Sequence, residues 1–326
     1  MDTHSQSNID IREPKIGVVM FANFLSIGVL GAFYSYYVVS GSGQVALDPM
    51  QNLVQAMEVQ SHDTKASDAK PRNIRSVVIG SNATQIVNAL TQCRHFSNDC
   101  EISWYLDELE RTVKLQPFLL DKSEVTVSQF AEFVTQYRYT TDAEKHGMSY
   151  SVNLPYEDYS ITSTAGLYWR NAYAGDAANF PVVHVTQKDA AAYCESVQKR
   201  LPTEAEWEYV ASGYTRLKYP WGQQWDDSKL HWGSDADSDT VKPVASYPPS
   251  PLGHFDLAGG VSEWTSTTDD SQSRGYIKGT SRFDTNVANA RVAVRRLESI
   301  EYSGEDVGFR CVEQLENWPV RAVSHQ

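Results

Sequence analysis

Four cysteines are the side chains of this sequence with the widest choice of chemistry, because a thiol can form a disulfide, bind a soft metal ion or act as a nucleophile. They are Cys93, Cys100, Cys194 and Cys311. Four cysteines allow three pairings. Cys93 and Cys100 are near enough in sequence to close a small loop, which leaves Cys194 to pair with Cys311 across a long one. The chain has no C-x₂-C spacing, so disulfides are favoured over a metal site.

The other groups that commonly act in catalysis form no recognisable pattern. The sequence has no H-x₃-H pair, no Ser/His/Asp constellation and no glycine-rich phosphate loop. An isolated histidine is more often structural than a ligand, and the histidines considered as ligands are scattered along the chain: His146, His184, His231 and His254.

Composition places the chain among ordinary globular proteins. Of its 326 residues, 41% are hydrophobic and 21% are charged, which excludes wholesale disorder. Its 41 acidic residues exceed the 28 basic ones, for a formal net charge of −13. No dense run of Lys and Arg occurs, so no nucleic-acid partner is expected, whereas surplus carboxylates suit hard cations such as Ca²⁺.

One long apolar run begins at Ile16 and ends at Val39 without a charged residue. A helix of this length spans the roughly 30 Å hydrocarbon core of a bilayer. A signal peptide has a shorter apolar core, a basic leading segment and a small-residue cleavage site, and this run departs from that pattern. The sequence therefore predicts an uncleaved transmembrane helix over residues 16–39.

Basic residues lie close to this run only on its leading side. Arg12 and Lys15 precede it, while the next basic residue after it is Lys65. By the positive-inside rule, residues 1–15 are a cytoplasmic tail. We expect a single-pass membrane protein whose main domain is periplasmic or extracellular, where disulfides persist.

Residues 40–73 are predicted to form a linker with room for one short helix, and residues 74–326 a domain of the α+β class. Three helix starts are predicted in this domain. The first and third are capping boxes, which satisfy the first free backbone amides of a helix, and the middle one has the weaker Asp189 where Glu or Gln would complete the box. After Gly213 no helical period remains, and Gly and Pro punctuate an irregular region. The predicted N-caps are Thr126, Thr186 and Thr203.

Several segments of this domain resemble the formylglycine-generating enzyme family, the sulfatase-modifying-factor domain with a variant of the C-type lectin fold. The longest, FPVVHVTQKDAAAYCESVQKRLPTEAEWEYVASG, covers residues 180–213. YPWG, GHFDLAGGVSEW and GFRC follow in the family's order, and FLLDKSEVTVSQFAEFV resembles its opening segment. The match covers residues 74–314. It implies an α+β core with much irregular loop, and a disulfide between Cys194 and Cys311.

The resemblance also implies a calcium ion in the loop DLAGGVSE. By position, Asp256 and Glu263 would supply side-chain oxygens, and Gly259 and Val261 backbone carbonyls. Oxygen atoms of these kinds are the ligands that Ca²⁺ prefers. The alternative for the two acidic residues is a turn cap and a buried hydrogen-bond partner.

This loop departs from the family pattern at two positions. The family usually has Asn where Gly260 stands and Trp where Ser262 stands. A second calcium site of the family draws on the preceding loop, here residues 231–240, whose ligands do not align.

The family's catalytic cysteines have no counterpart at the matching positions. Its oxidising members bind Cu(I) through two cysteines five residues apart, because soft thiolates suit a soft ion. Counting back from GFRC and anchoring on Arg291 and Arg295, these positions fall on Val287 and Val292. A valine offers no lone pair, so no copper is expected, and formylglycine production by the family's mechanism is not expected either.

These observations leave two hypotheses. The first is a membrane-anchored, non-catalytic relative that binds a protein partner or acts as an accessory subunit of a cell-envelope complex. The alternative is a periplasmic enzyme of the same family with different chemistry, such as oxidative maturation of an exported peptide or a small molecule. The pocket around Val287 and Val292 should discriminate between them, according to whether it is filled or open and lined by polar groups.

Overall fold

The structure, a computed structural model, describes residues 73–95, 100–153, 160–233 and 241–318. The predicted cytoplasmic tail, the transmembrane segment and nearly all of the linker lie outside these residues. No helix within the described ranges is long and apolar enough to cross a membrane. The transmembrane helix over residues 16–39 therefore stays a prediction.

Short helices supply only a small part of the described domain. Each begins at an N-cap that forms a full capping box, which confirms the starts predicted at Thr126, Thr186 and Thr203. The capping boxes at Asn82 and Thr141 were not predicted. The helices are α1 (Ala83–Cys93), α2 (Val127–Tyr137), α3 (Asp142–His146), α4 (Gln187–Ser196) and α5 (Glu204–Ala211), with 3₁₀ turns at Ile102–Glu108, Trp169–Asn171, Asp227–Lys229 and Val287–Ala290.

Short strands form one sheet of four strands and three two-stranded pairs. Within the described ranges the strands are β1 (Arg75–Ile79), β2 (Arg111–Leu115), β3 (Phe118–Leu120), β4 (Met148–Asn153), β5 (Ser160–Ala165), β6 (Ser262–Thr268), β7 (Arg274–Lys278), β8 (Arg295–Ser299), β9 (Val307–Gly308) and β10 (Val312–Gln314). The larger sheet has the order β8-β7-β6-β9, and the pairs are β1–β2, β3–β10 and β4–β5. In the larger sheet only β6 and β9 run parallel.

Backbone hydrogen bonds tie the start of the family segment to its end. Strand β3 pairs antiparallel with β10. The amide of Asp121 donates to the carbonyl of Cys311, and the amide of Val125 donates to that of Phe309. The capping turn of α2 is therefore held against the GFRC segment, although the two are far apart in sequence.

The largest apolar cluster joins α2 and α4 to the four-stranded sheet. Phe130 of α2 stacks on Tyr193 of α4 with ring centroids 5.8 Å apart, and meets Trp169 edge-on at 5.2 Å. Trp264 of β6 and Phe309 are buried in the same cluster. Aromatic pairs of this geometry each add about 0.5–1.5 kcal/mol beyond their burial, so aromatic packing compensates for the scarcity of regular structure.

Two further apolar clusters lie under the irregular second half of the domain. One includes Trp207, Val210, Leu257 and Val292, and the other includes Tyr219, Leu230, Trp232, Ala258 and Val287. With short helices, small sheets and long irregular connections, the predicted α+β class is confirmed.

Candidate functional site

Two disulfides use all four cysteines of the chain. Cys194 of α4 is bonded to Cys311, with Cα atoms 5.6 Å apart, and Cys93 is bonded to Cys100, with Cα atoms 6.0 Å apart. The predicted disulfides are confirmed. Because the sequence contains 4 cysteines in total, no thiol remains for metal binding or for nucleophilic attack.

A buried ion pair joins the DLAGGVSE segment to GFRC. The guanidinium of Arg310 donates two hydrogen bonds of 2.7 Å to the two carboxylate oxygens of Glu263. The indole N–H of Trp207 donates to Glu263 Oε2 at 2.8 Å. Burial alone lowers the pKa of the arginine, but the adjacent Glu263 outweighs it and raises that pKa.

The contacts of Glu263 match the alternative role considered for it, a buried hydrogen-bond partner. Both of its oxygens already face the Arg310 cation and the Trp207 donor. A calcium ion ligated by Glu263 would have to share that carboxylate with a cation in place, and like charges disfavour this arrangement. Glu263 therefore does not fit well as a calcium ligand.

Two other carboxylates lie next to this ion pair, and Arg310 engages Glu124 less closely than it engages Glu263. Glu124 is buried, its Oε2 lacks a hydrogen-bond partner among the described atoms, and this oxygen lies 3.8 Å from Arg310 Nη2. Burial, and secondly the charge of Asp256, raises the pKa of Glu124 well above its usual range. Both side chains line a cavity of about 20 Å³, which is room for a single small occupant.

The side chains alone do not complete a metal site. Within the part of the chain that the structure describes, no group of three or more Asp, Glu, His or Cys side chains is arranged to hold a metal ion. Asp256 also accepts a hydrogen bond of 2.5 Å from the amide of Ala245, eleven residues earlier in the chain. Calcium at Asp256, Gly259, Val261 and Glu263 stays a prediction, and most of the second predicted calcium loop lies outside the described residues.

Gly259 has a steric reason to be glycine that is independent of calcium. Its φ is +82°, and an added Cβ would lie 2.4 Å from the carbonyl oxygen of His231. Real Cβ atoms do not approach an oxygen so closely, so any other residue would displace the His231 segment. The loop that the resemblance singled out is thus shaped by backbone packing.

The two valines at the matched catalytic positions are buried in different apolar clusters. Val287 begins a 3₁₀ turn and is buried in the cluster of Tyr219 and Trp232. Val292 is buried in the separate cluster of Trp207 and Leu257. The position of Val287 is filled, whereas Val292 borders an open cleft. The lack of a thiol pair does not depend on this alignment, because no cysteine of the chain is free.

The cleft beside Val292, hereafter the Lys218 cleft, has a volume of about 190 Å³ and was not predicted. It lies between β1, α1, α5, the loop that follows α5 and the segment after the Val287–Ala290 turn. The side chains that give it its character include Gln85, Asn88, Glu208, Arg216, Lys218 and Arg291. These residues come from three distant parts of the chain, so no local sequence spacing could have predicted the cleft.

Buried ion pairs form the floor of the Lys218 cleft. Glu208 accepts hydrogen bonds from the amide of Gly80 at 2.6 Å and from Lys278 Nζ at 2.9 Å. Arg291 donates two hydrogen bonds to the carboxylate of Glu108, at 2.8 and 2.9 Å. Burial lowers the pKa of Lys278 even though Glu208 opposes the shift. These paired groups shape the cleft and have little capacity left for a ligand.

Helix α1 closes one side of the region around the two valines. Gln92 of α1 donates to the hydroxyl of Tyr219 at 2.9 Å and accepts from Lys218 Nζ at 2.9 Å. The side-chain amide of Asn286 lies 2.9 Å from Cys93 Sγ. The Cys93–Cys100 disulfide therefore sits directly against the turn that carries Val287.

Comparison with known proteins defines the class to which this fold and these motifs belong. The model of the sulfatase-modifying factor enzyme 1-like domain matches residues 82–315. The chain therefore belongs to this family, as its motifs implied.

Named relatives include both active and inactive proteins. The chain is 34% identical over 237 residues to inactive C-alpha-formylglycine-generating enzyme 2 of Bos taurus, covering 62% of this chain and 78% of that protein. It is 32% identical over 253 residues to the formylglycine-generating enzyme of Thermomonospora curvata, covering 62% of this chain and 83% of that protein. Overall similarity to these two proteins therefore does not decide whether this chain is an enzyme.

A solved structure shares the fold at low sequence identity. PvdO from Pseudomonas aeruginosa superimposes with a TM-score of 0.52 and 16% identity, covering 74% of this chain and 92% of that one. At this identity the likeness shows the fold alone.

Proposed function

We propose that this protein is a non-catalytic member of the family, anchored by residues 16–39, whose domain binds a protein partner as an accessory subunit of a cell-envelope complex. The observation that carries the proposal is the state of the cysteines. All four are held in disulfides, so the chain has no thiolate pair for Cu(I), whichever residues align with the family's catalytic positions.

The Lys218 cleft supports binding over catalysis. Its acidic residue, Glu208, is neutralised by Lys278 and bonded to a backbone amide. The hydroxyl of Ser212 donates to the carbonyl of Tyr209 at 3.1 Å. Neither group has a general base in contact, as an activated nucleophile requires. The hydroxyl of Ser81, which also lines the cleft, donates to the carboxylate of Glu108 at 3.4 Å, but that carboxylate is neutralised by Arg291.

The location outside the membrane rests on sequence features. Arg12 and Lys15 precede the apolar run, as a cytoplasmic flank does. Two disulfides in a domain of this size are typical of an oxidising compartment. The net charge of −13 favours a soluble, acidic domain and gives no reason to expect nucleic acid.

The proposal includes a bound calcium ion, with one ligand that differs from those predicted from the sequence. We infer that Asp256 and the carbonyls of Gly259 and Val261 would hold the ion, with Glu124 in place of Glu263. The buried Oε2 of Glu124, which accepts no hydrogen bond among the described atoms, supports this change, as do the hydrogen bonds that Glu263 already accepts from Arg310. A bound Ca²⁺ would supply positive charge to two carboxylates that now lie close together in the interior.

The test is a parallel assay of copper binding and aldehyde formation. The full chain in detergent micelles and the Thermomonospora curvata enzyme are each incubated with Cu(I) and a sulfatase-type cysteine peptide. We expect the bacterial enzyme to bind copper and form aldehyde, and this chain to do neither. Aldehyde formation by this chain above a heat-inactivated control would overturn the proposal.

One observation favours a second function, that of an enzyme with different chemistry. Val292 borders an open cleft with charged walls, as a retained active site would. This alternative requires a turnover that depends on the cleft. Product formed from exported peptides or small molecules by the native protein, and lost in an Arg291→Met variant that still folds, would support it.

A further inference from the structure

The charges of the Lys218 cleft balance except at one residue. Glu208 is paired with Lys278, and Arg291 with Glu108. Arg216 is paired with Glu110. These groups can be set aside, because each charged member already has a partner of opposite sign.

Lys218 is the exception. Its Nζ donates to the side-chain oxygen of Gln92 at 2.9 Å and lies 5.2 Å from the centre of the Tyr219 ring. No described carboxylate forms an ion pair with it. Burial, and secondly the nearby Arg291, lowers the pKa of Lys218. A half-buried cation that faces another cation is poorly stabilised, and an anion beside it would relieve both effects.

Further hydrogen-bond donors line the same cleft. Gln85 and Asn88 lie one turn apart on α1, and both contribute to the wall. The side-chain oxygen of Gln85 caps the helix by accepting from the amide of Asn82, so its NH₂ group is left to donate. The cleft thus combines one uncompensated cation with neutral donors, which is the composition of a site for a single negative charge.

The volume of the cleft limits what can enter it. Pockets that take a whole small-molecule ligand are typically about 300–1,000 Å³. The Lys218 cleft, at about 190 Å³, is smaller. It has room for one functional group of a larger molecule, such as a side chain or a chain terminus.

We propose that the Lys218 cleft binds a single carboxylate group of a protein partner, with Lys218 as its counter-ion and the amides of Gln85 and Asn88 as further donors. A monoanion matches one uncompensated lysine, whereas a phosphate carries up to two negative charges and would leave one unbalanced. The inference deepens the proposed function and rests on it, since a non-catalytic domain acts through what it binds.

The shared chemistry has two sources in a protein, an acidic side chain and a free C-terminus. Three short peptides separate them: acetyl-Ala-Glu-Ala-amide, acetyl-Ala-Ala-Ala with a free carboxylate, and acetyl-Ala-Gln-Ala-amide as the neutral control. Binding to the full chain in micelles is measured by ligand-observed NMR, which detects dissociation constants in the millimolar range.

Two variants locate the binding. Lys218→Met removes the charge and keeps most of the volume, while Lys114→Met removes an exposed lysine of β2 outside the cleft. We expect at least one acidic peptide to bind, the neutral peptide not to bind, and Lys218→Met to weaken binding about tenfold or more, since hydrogen bonds to charged groups are strong. Lys114→Met should bind as the unmodified chain does.

The peptide-binding results either support or overturn the proposal. Binding of only the glutamate peptide, or of only the free C-terminus, supports the proposal and identifies the source. Equal binding of the neutral peptide, no binding of either acidic peptide, or unchanged binding by a folded Lys218→Met variant would overturn it. None of these results bears on copper or aldehyde, so the proposed function and this inference can fail independently.

Discussion

Two charged regions of this domain differ in how completely their charges are paired. At the Glu263–Arg310 centre, both side chains are at most 1% exposed and all strong hydrogen bonds stay within the fold. In the Lys218 cleft, the floor is paired in the same way, but Lys218 at the wall has only a neutral partner, Gln92. A closed set of charges stabilises the structure, whereas an uncompensated charge that solvent can reach is available to a ligand.

The largest effect on stability should come from breaking the buried pair of Glu263 and Arg310. Arg310→Met or Glu263→Gln leaves an uncompensated group in the interior, so each should lower the free energy of unfolding by about 3–5 kcal/mol. The double variant should cost less than the sum of the two, because one interaction is lost in both. Urea denaturation followed by circular dichroism measures this.

A surface pair provides the control for this prediction. Lys145 and Asp142 are 2.7 Å apart, but the side chain of Lys145 is 46% exposed. Lys145→Met should therefore cost less than about 1 kcal/mol. If Lys145→Met were as damaging as Arg310→Met, burial would not be what distinguishes the two kinds of pair.

The disulfide next to this centre should give the second-largest effect. The Cys194–Cys311 bond closes a loop with a sequence separation of 117 residues. Removal of either cysteine as Cys194→Ser or Cys311→Ser should cost about 2–5 kcal/mol, and the double variant little more than either alone. Additive losses in thermal unfolding would contradict a shared bond, as would peptide mass spectrometry that found both thiols free.

Calcium binding tests whether the acidic residues next to the Glu263–Arg310 pair need a cation. If Asp256 and Glu124 hold the ion, Ca²⁺ at about 100 times its dissociation constant should stabilise the fold by about 2.7 kcal/mol. The melting temperature should then rise with Ca²⁺ and fall with chelator, and Glu124→Gln should abolish the difference. Glu263→Gln is a poor test, since it breaks the pair with Arg310. An unchanged melting temperature would leave Asp256 only as the acceptor for the amide of Ala245.

Acid should destabilise the closed region through two buried histidines. Burial lowers the pKa of both His184 and His254 to about 4, against about 6.5 for an unfolded chain. The unfolded state therefore binds more protons between these values. The stability from each neutral histidine is complete above pH 6.5 and is lost as the pH falls towards 4, by at most about 1.4 kcal/mol per pH unit.

Glu124 acts in the opposite direction, because burial raises its pKa well above the usual range and lets the folded state take up a proton that the unfolded state does not bind. His254→Gln should flatten the slope of stability against pH, while His146→Gln, at an exposed position, should leave it unchanged. Denaturation midpoints measured from pH 7 to pH 4 report both. A slope that both variants leave unchanged would assign acid sensitivity to other groups.

The smallest effect on stability should come from Lys218. Since it has no carboxylate partner in the described structure, Lys218→Met should change the free energy of unfolding by less than about 0.5 kcal/mol, as for most surface substitutions. Together with lost carboxylate binding, this result would sharpen the contrast with Arg310. A loss of several kcal/mol would instead make Lys218 a structural residue like those of the cleft floor.

Local signals were the most successful part of the sequence analysis. The capping boxes at Thr126, Thr186 and Thr203 identified three helices correctly, because a capping box is complete within four residues. The helices from Asn82 and Thr141 also begin with capping boxes but were missed. The box from Asn82 to Gln85 is as local as the others, so its signal was present in the sequence, whereas α3 is too short to show a period of apolar residues.

The candidate site was harder to predict because its contacts connect distant residues. Glu263 was predicted to be a calcium ligand by its place in a motif, and this stays a prediction; only the fold shows that its carboxylate pairs with Arg310, which lies 47 residues further along the chain. Val287 and Val292 were matched to one catalytic site from the sequence, and only the fold shows that they are buried in separate apolar clusters.

By itself, the sequence determined the family, the α+β class, the number of thiols and the positions of three helix starts, because each depends on residue types over a short span or on a simple count. Tertiary structure alone decided three features: which carboxylates are neutralised, that Val292 and not Val287 borders a cleft, and that Lys218 faces this open cleft beside α1. The physical reason is that pairing, burial and cavity shape depend on side chains from β1, α1 and α5, which only the folded chain brings within a few ångströms of one another.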